Sequence, residues 1–300
     1  GGNGGECAGG LGDHCRDHLD GSSLLQVRAP GPSLPRLLPP LLGGSSSFCA
    51  QCAPSGSIVS LLGGRVTNVT RPNGTRAEGP DALKSVAAIG YVGGWKNMAV
   101  AQYPNAVTRF SADFVVPEMP ATNDPTASTT YIFPGLTDAA REWILQPVLQ
   151  WGHTICGPSQ SYQWSYQSYM VPTNPELCTH ASSYLMVEVG QTLRGDMELL
   201  PDGQWRVTST VLNTGASTTL FIAGAKPQRM PDFGLEAYAN DPWMVCASHP
   251  GSPVTFFNIQ LSTTTGPVNA ASIPWQTTDD TKCNRRTVIG AGSVTLAQVR

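Results

Sequence analysis

The chain has 300 residues, about two average domains or one large all-β domain with an appendage. Only 13% of them are charged, while 32 Gly and 25 Pro interrupt the sequence, a balance that excludes a helical bundle or coiled coil. A net charge of -3 offers no basic field to a phosphate backbone, so nucleic acid is excluded as a partner, and no run approaches the roughly 20 apolar residues of a transmembrane helix.

Residues 1–91 differ in kind from the rest: they are Gly/Pro/Ser-rich, carry no sustained hydrophobic period, and read as an N-terminal extension or pro-segment. Gly rather than Met at position 1 suits a processed chain. Short helices are expected around Leu24–Val27 or Ile58–Leu62. His14 and His18 flank Cys15 at i,i+4 and read as solvated rather than metal-binding. Cys49-Ala50-Gln51-Cys52 has the CxxC spacing, yet too few further ligands lie nearby for zinc, so a disulfide to Cys7 or Cys15 is expected. Asn68-Val69-Thr70 and Asn73-Gly74-Thr75 are glycosylation sequons in a polar, turn-rich stretch. The eight cysteines divide into four before residue 60 and four after residue 150, so each half is expected to close its own bridges, Cys156–Cys178 and Cys246–Cys283 in the second. Together these features place the protein in an oxidising compartment, secreted or at the cell surface.

From Trp95 onward, strand signals follow one another. Phe110–Val116 stops at Pro117 and Thr129–Phe133 at Pro134-Gly135. Glu142–Trp151, Gln163–Val171, Tyr184–Val189 and Met197–Leu200 come next, and Asp202-Gly203 turns the last of these into Gln204–Leu212. Asn213-Thr214-Gly215 leads to Thr218–Ile222, followed by Gly234–Ala239, Val254–Leu261, Thr287–Ile289 and Ser293–Ala297. More than ten short strands without crossover helices predict an all-β antiparallel sandwich or jelly roll over residues 92–300.

No G-x-S-x-G elbow, H-E-x-x-H or P-loop is present, and no metal or organic cofactor is expected. Polar residues inside apolar strands are more informative. Alternation through Trp143–Trp151 puts Ile144, Gln146, Val148 and Gln150 on one face; in Gly234–Tyr238 it puts Glu236 and Tyr238 together. A carboxylate on such a face is solvated or held by donors, and burial would raise its pKa toward general acid/base use.

The succession Phe114-Val115-Val116-Pro117, Tyr131–Leu136, Ile144-Leu145-Gln146, Tyr162-Gln163-Trp164, Leu235-Glu236 and Val254-Thr255-Phe256 resembles the strand order of the glutamic peptidases, or eqolisins. It is also similar to secreted fungal proteins with an I-L-Q-P-V-L strand. The resemblance spans about residues 95 to 300; it departs where W-V-G-I-D-G becomes Tyr131–Leu136, where Y-E-W becomes Tyr162-Gln163-Trp164, and where Leu235 replaces Ala before Glu236. It implies a secreted, concanavalin-like jelly roll with acid endopeptidase activity. Gln146 from the I-L-Q strand would hold the oxyanion, and Glu236 from the A-E-[WF] strand would serve as general base and then acid. Tyr131, Gln150, Trp164, Tyr166 and Tyr238 are candidate substrate contacts.

A non-catalytic alternative remains open at this level: an extracellular carbohydrate-binding or structural module, with Tyr162, Trp164 and Tyr166 as a stacking platform and the N-terminal extension as a tether for assembly. Trp151, Gln167 and Tyr169 could equally line a groove with Tyr166. The expected ligand is thus a peptide or a glycan.

Overall fold

The computed structural model describes residues 48–78, 85–86, 92–122, 128–152, 156, 161–174 and 177–299. The expectations for Cys7, His14, Cys15, His18 and a helix at Leu24–Val27 lie outside the described residues. Nearly every regular element described is a strand. In chain order these are β1 (Phe48–Cys52), β2 (Ser57–Leu62), β3 (Arg65–Thr70), β4 (Arg76–Glu78), β5 (Ser85–Val86), β6 (Val92–Val100) and β7 (Val107–Val115). The central run is β8 (Ser128–Asp138), β9 (Trp143–Gly152), β10 (Ser161–Pro172), β11 (Thr179–Ala181), β12 (Leu185–Val187), β13 (Thr192–Leu199), β14 (Trp205–Val211), β15 (Ser217–Ala223) and β16 (Gln228–Ala239). A one-turn helix α1 (Met244–Ala247) precedes β17 (Val254–Thr263), β18 (Gly266–Val268), β19 (Gln276–Thr278), β20 (Arg285–Gly290) and β21 (Ser293–Gln298). No helix among the described residues is long and apolar enough to cross a membrane.

Two sheets form the sandwich. One runs β19-β6-β16-β8-β9-β10-β11-β1-β5, with β12 also on β10; the other runs β20-β21-β17-β7-β13-β14-β15-β2-β3-β4, with β18 on β17. The expected hairpin at Asp202-Gly203 joins β13 to β14, Leu199 opposite Trp205, with Gly203 at φ +82°. Between the sheets Phe233 stacks on Phe256 at 4.3 Å, and Phe110 and Phe114 close around them at 5.3 and 5.1 Å.

The sheets are mixed rather than purely antiparallel, and the N-terminal strands are the reason. β1 pairs with β11 and β2 with β15 in parallel, which distant segments can do without a hairpin. The segment expected to be irregular thus supplies strands to both sheets, and the helix expected at Ile58–Leu62 is β2. Its alternation buries Ser57, Val59 and Leu61, and Val59, Leu61 and Val69 join the main core.

The cysteines follow this weave. Cys246–Cys283 forms as expected, but Cys156 bonds Cys52 rather than Cys178, across a separation of 104 residues. Cys178 is disulfide-bonded too, to none of these four. The bridge joins β1, two strands beyond β10 in the sheet, to the segment after β9, so it follows the sheet order and not nearness in sequence. Of the two sequon asparagines, Asn73 is exposed in the turn between β3 and β4 and Asn68 is half-buried on β3.

A chain beginning at Phe48 should therefore retain a single cooperative thermal transition. One beginning at Val92 should lose it, because Val59, Leu61 and Val69 each contribute about 1.5–3 kcal/mol of burial and the Cys52 bridge about 2–5 kcal/mol. Calorimetry of the two fragments checks this; equal transitions would mean that β1–β5 are dispensable.

Candidate functional site

Strands β9 and β16 are buried along almost their whole length on both faces, so alternation sends half their side chains to the intersheet core and half to the outer face of their own sheet. On β16, Phe233, Leu235 and Ala237 enter the core, leaving Asp232, Gly234, Glu236 and Tyr238 on the other face. On β9, Leu145, Leu149 and Trp151 enter the core and leave Gln146, Val148 and Gln150 opposite.

Register assembles these residues into rows across β6, β16, β8, β9 and β10. One row carries Trp95, Glu236, Tyr131, Gln150 and Ser165 in successive pairs. A second, four residues along β16, pairs Asp232 with Gly135 on β8, and continuing the β8–β9 register sets Gln146 beside Gly135 and Tyr169 beyond it. Gln146 and Glu236 share the face but not the row. Two strand spacings and four residues of stagger separate their Cα atoms by roughly 16 Å, with Tyr131 and Phe133 on the strand between. Asp232, in Gln146's own row, is roughly 10 Å away by the same measure.

Gly135 stands between those two residues in the row and puts no side chain there. A Cβ there would stand 2.3 Å from Asp232 Oδ1, so the carboxyl lies directly over the glycine. Thr137 Oγ1 donates to Asp232 Oδ2 at 3.4 Å, while Asp232 Oδ1 and Gln146 Nε2 are both buried without a hydrogen-bond partner. The β8–β9 ladder pairs Ile132 with Leu149 and resumes at Leu136 with Leu145; Pro134 and Pro147, which have no N–H to donate, fall in the gap. The Asp138 carboxylate restores order at the hairpin end, accepting from the backbone N–H groups of Ala140, Glu142 and Trp143 at 2.7, 3.1 and 3.2 Å. The gap in the ladder thus sits beside Gly135 and Gln146, between two firmly paired ends.

The Glu236 row is better satisfied. Tyr238 donates its hydroxyl to Glu236 Oε2 at 2.9 Å, Tyr169 donates to Gln150 Oε1 at 2.6 Å, and Gln167 Nε2 donates to the Tyr169 hydroxyl. Glu236 Oε1 and Gln167 Oε1 remain unpaired. Burial is the first cause of a pKa of about 8 for both acids; hydrogen bonds from Thr137 to Asp232 and from Tyr238 to Glu236 oppose it, and the Asp232 charge adds to the rise at Glu236.

Of the residues read from the sequence, Gln146, Glu236, Tyr131, Gln150 and Tyr238 lie on this face, together with Gln167 and Tyr169. Trp164 and Tyr166 do not. Both are buried in the intersheet core, Tyr166 edge-on to Phe114 at 5.8 Å, because β10 alternates them opposite to Ser165 and Gln167. The proposed stacking platform of Tyr162, Trp164 and Tyr166 therefore does not form: Tyr162 alone of the three is exposed. Trp151 is in the core as well.

Asp232 is the residue the sequence reading missed. The strand expected over Gly234–Ala239 begins six residues earlier, at Gln228, and the period of Asp232, Gly234, Glu236 and Tyr238 along it is unbroken. A second cluster, His249 with Asp280 and Cys283, brings metal-ligating atoms together away from this face.

No family model and no curated protein matches the chain. Among solved structures, scytalido-glutamic peptidase with a transition state analog inhibitor is similar over 70% of this chain and 100% of its own, with a TM-score of 0.51 and 13% identity. SCP-B, a member of the eqolisin family in complex with the tripeptide Ala-Ile-His, matches over 70% and 100% at a TM-score of 0.47 and 14% identity. Aspergilloglutamic peptidase from Aspergillus niger matches over 57% and 99% at 0.42 and 16%. At such identities the likeness to scytalido-glutamic peptidase is one of fold, a β-sandwich of the glutamic-peptidase kind.

Proposed function

We propose that the protein is a secreted endopeptidase of the glutamic-peptidase type, in which Asp232 and Gln146 are the carboxyl and carboxamide that meet at the scissile bond. The observation that carries this reading is the Asp232 carboxyl lying over Gly135 in the row of Gln146, each with an unpaired buried polar atom turned into the face. Asp232-Phe233 then takes the part that the resemblance gave to the A-E-[WF] pair.

Ionised Asp232 takes a proton from water as its oxygen attacks the scissile carbonyl, and the Gln146 amide donates N–H to the resulting oxyanion. Asp232 then returns the proton to the leaving amine. Glu236, Tyr131 and Gln150, roughly 13 Å further along the strands, and Tyr238, roughly 20 Å, serve as contacts for the peptide on one side of the cut.

A base must be ionised, and at a pKa of about 8 the buried Asp232 is neutral below that pH. Uncovering the face removes the burial that raised it and returns the group toward the ordinary carboxylate range, where it is a base in acid. On this reading, activity in acid requires water and substrate to reach the face. β1 to β5 pair into the two sheets, so on this reading a removable pro-segment lies ahead of Phe48. The disulfides suit an oxidising, extracellular setting.

The test is cleavage of an internally quenched peptide across the acid range after limited proteolysis ahead of Phe48. Asp232→Asn and Gln146→Ala should each lower kcat/KM by about 100-fold or more, and Glu236→Gln should act mainly on KM. Loss of activity in Glu236→Gln with retention in Asp232→Asn would return the catalytic role to Glu236. No cleavage at any pH would end the peptidase reading.

Stability of the unprocessed chain follows from the same two groups. Each has a folded pKa raised above its unfolded value, Asp232 from 3.8 and Glu236 from 4.5, both to about 8. Between those limits the unfolded state ionises and the folded state does not, so rising pH favours unfolding. The melting temperature should fall from about pH 4 to pH 8, and the fall should be flatter in the Asp232→Asn/Glu236→Gln double variant. A melting temperature equally steep in both proteins would show that neither acid is held neutral.

A further inference from the structure

Two short segments meet away from the candidate catalytic face. Cys246 lies in α1 and His249 just beyond it, with the spacing Cys-x2-His; Asp280 caps the 3-10 turn Thr281–Cys283, with the spacing Asp-x2-Cys. The Cys246–Cys283 disulfide joins them, its Cα atoms 5.2 Å apart. His249 is 3% exposed, yet neither ring nitrogen has a hydrogen-bond partner. Asp280 Oδ1 accepts from the backbone N–H groups of Lys282 and Cys283 at 3.2 and 3.3 Å, while its Oδ2 is buried and unpaired. One ligand atom from each of His249, Asp280 and Cys283 lies within 4.8 Å of the others.

We propose that Cys246, His249, Asp280 and Cys283 form a redox-gated zinc site, closed while the cysteines are bridged and complete when they are reduced. Tetrahedral zinc takes four N, S and O donors, and at the usual bond lengths they stand roughly 3.3–3.8 Å from one another. Side-chain rotation at two cysteines this close can open the bridge to that spacing. Two cations, Arg285 and Lys96, act electrostatically on His249. The same two cations offset the charge that two thiolates and a carboxylate leave around a divalent ion. Arg285 is fixed there by donating Nη2 to the Pro250 carbonyl at 2.6 Å.

The gating reaction is a dithiol–disulfide exchange. A dithiol reductant gives two electrons and two protons to the Cys246–Cys283 bond and becomes a disulfide itself; zinc then displaces the two thiol protons to solvent. Oxidation reverses both steps and expels the ion. Cys246 is exposed, so a thiolate can reach it. The ion would keep α1 and the 3-10 turn joined when the covalent link is open. Thr130 Oγ1 donates to the Ser248 carbonyl, which ties the end of α1 to β8 beside Tyr131.

The test uses the full chain, reduced with a phosphine, with and without zinc chloride, then alkylated with iodoacetamide and mapped by peptide mass. Zinc should slow alkylation of Cys246 and Cys283 by roughly tenfold or more and leave Cys52 and Cys156 unaffected. Bound zinc should reach one ion per chain in the reduced protein, with none at this site in the oxidised protein. His249→Ala and Asp280→Asn keep the disulfide, so their folding can be checked in the oxidised form; both should lose the protection. If reduction opens the fold, the chain refolded from the reduced state in zinc gives the same reading. Equal alkylation with and without zinc, or full protection in His249→Ala, would overturn the proposal.

Discussion

The candidate site depends on one constraint: β9 and β16 are enclosed on both faces, so every core residue they contribute fixes a neighbour on the opposite side. Phe233 is held between Phe256 at 4.3 Å and Phe110 at 5.3 Å, which leaves Asp232 no choice but the other face. On that other face Asp232 is buried as well, and its burial raises the carboxyl's pKa to about 8. Core packing and acid chemistry are therefore two outcomes of the same alternation.

Three residues that ordinarily weaken a central strand give the site its room. Pro134 and Pro147 interrupt the β8–β9 ladder, and Gly135 withdraws the side chain that would separate Asp232 from Gln146. The opposite sheet compensates: Gly195 on β13 faces both prolines, and a Cβ there would come within 2.7 Å of Pro134 and 2.9 Å of Pro147. The prolines thus pack into the space that a glycine leaves, so the interrupted ladder is supported from the core side.

The alternation of β9 and the far half of β16 was legible in the sequence, because those strands are bounded by turn chemistry and their polar residues interrupt apolar runs at a period of two. Three features were not. The expected strand started at Gly234, which left out the first half of β16 and with it Asp232. The parallel pairing of β2 with β15 is a long-range event that leaves no local turn signal, so Val59 and Leu61 sat in what looked like an irregular arm. Cys52 and Cys156 are joined by the same long-range weave, whereas Cys246 and Cys283, 37 residues apart, follow a pairing that nearness in sequence suggests. The fold class could be read from local pattern; the row that a carboxyl and a glutamine share depends on register, which local pattern does not set.

The most direct test of the Asp232–Gln146 pairing is the kcat/KM of processed Gly135→Ala. Gly135 has no positive φ, so its backbone accepts alanine, but the added Cβ would meet Asp232 Oδ1 at 2.3 Å and fill the gap the pair shares. The row of Glu236, Tyr131 and Gln150 lies four residues away along β8 and would be left as it is. Loss of about 100-fold in kcat/KM, in a protein that still melts cooperatively, is the expected result. Full activity in Gly135→Ala would contradict the account.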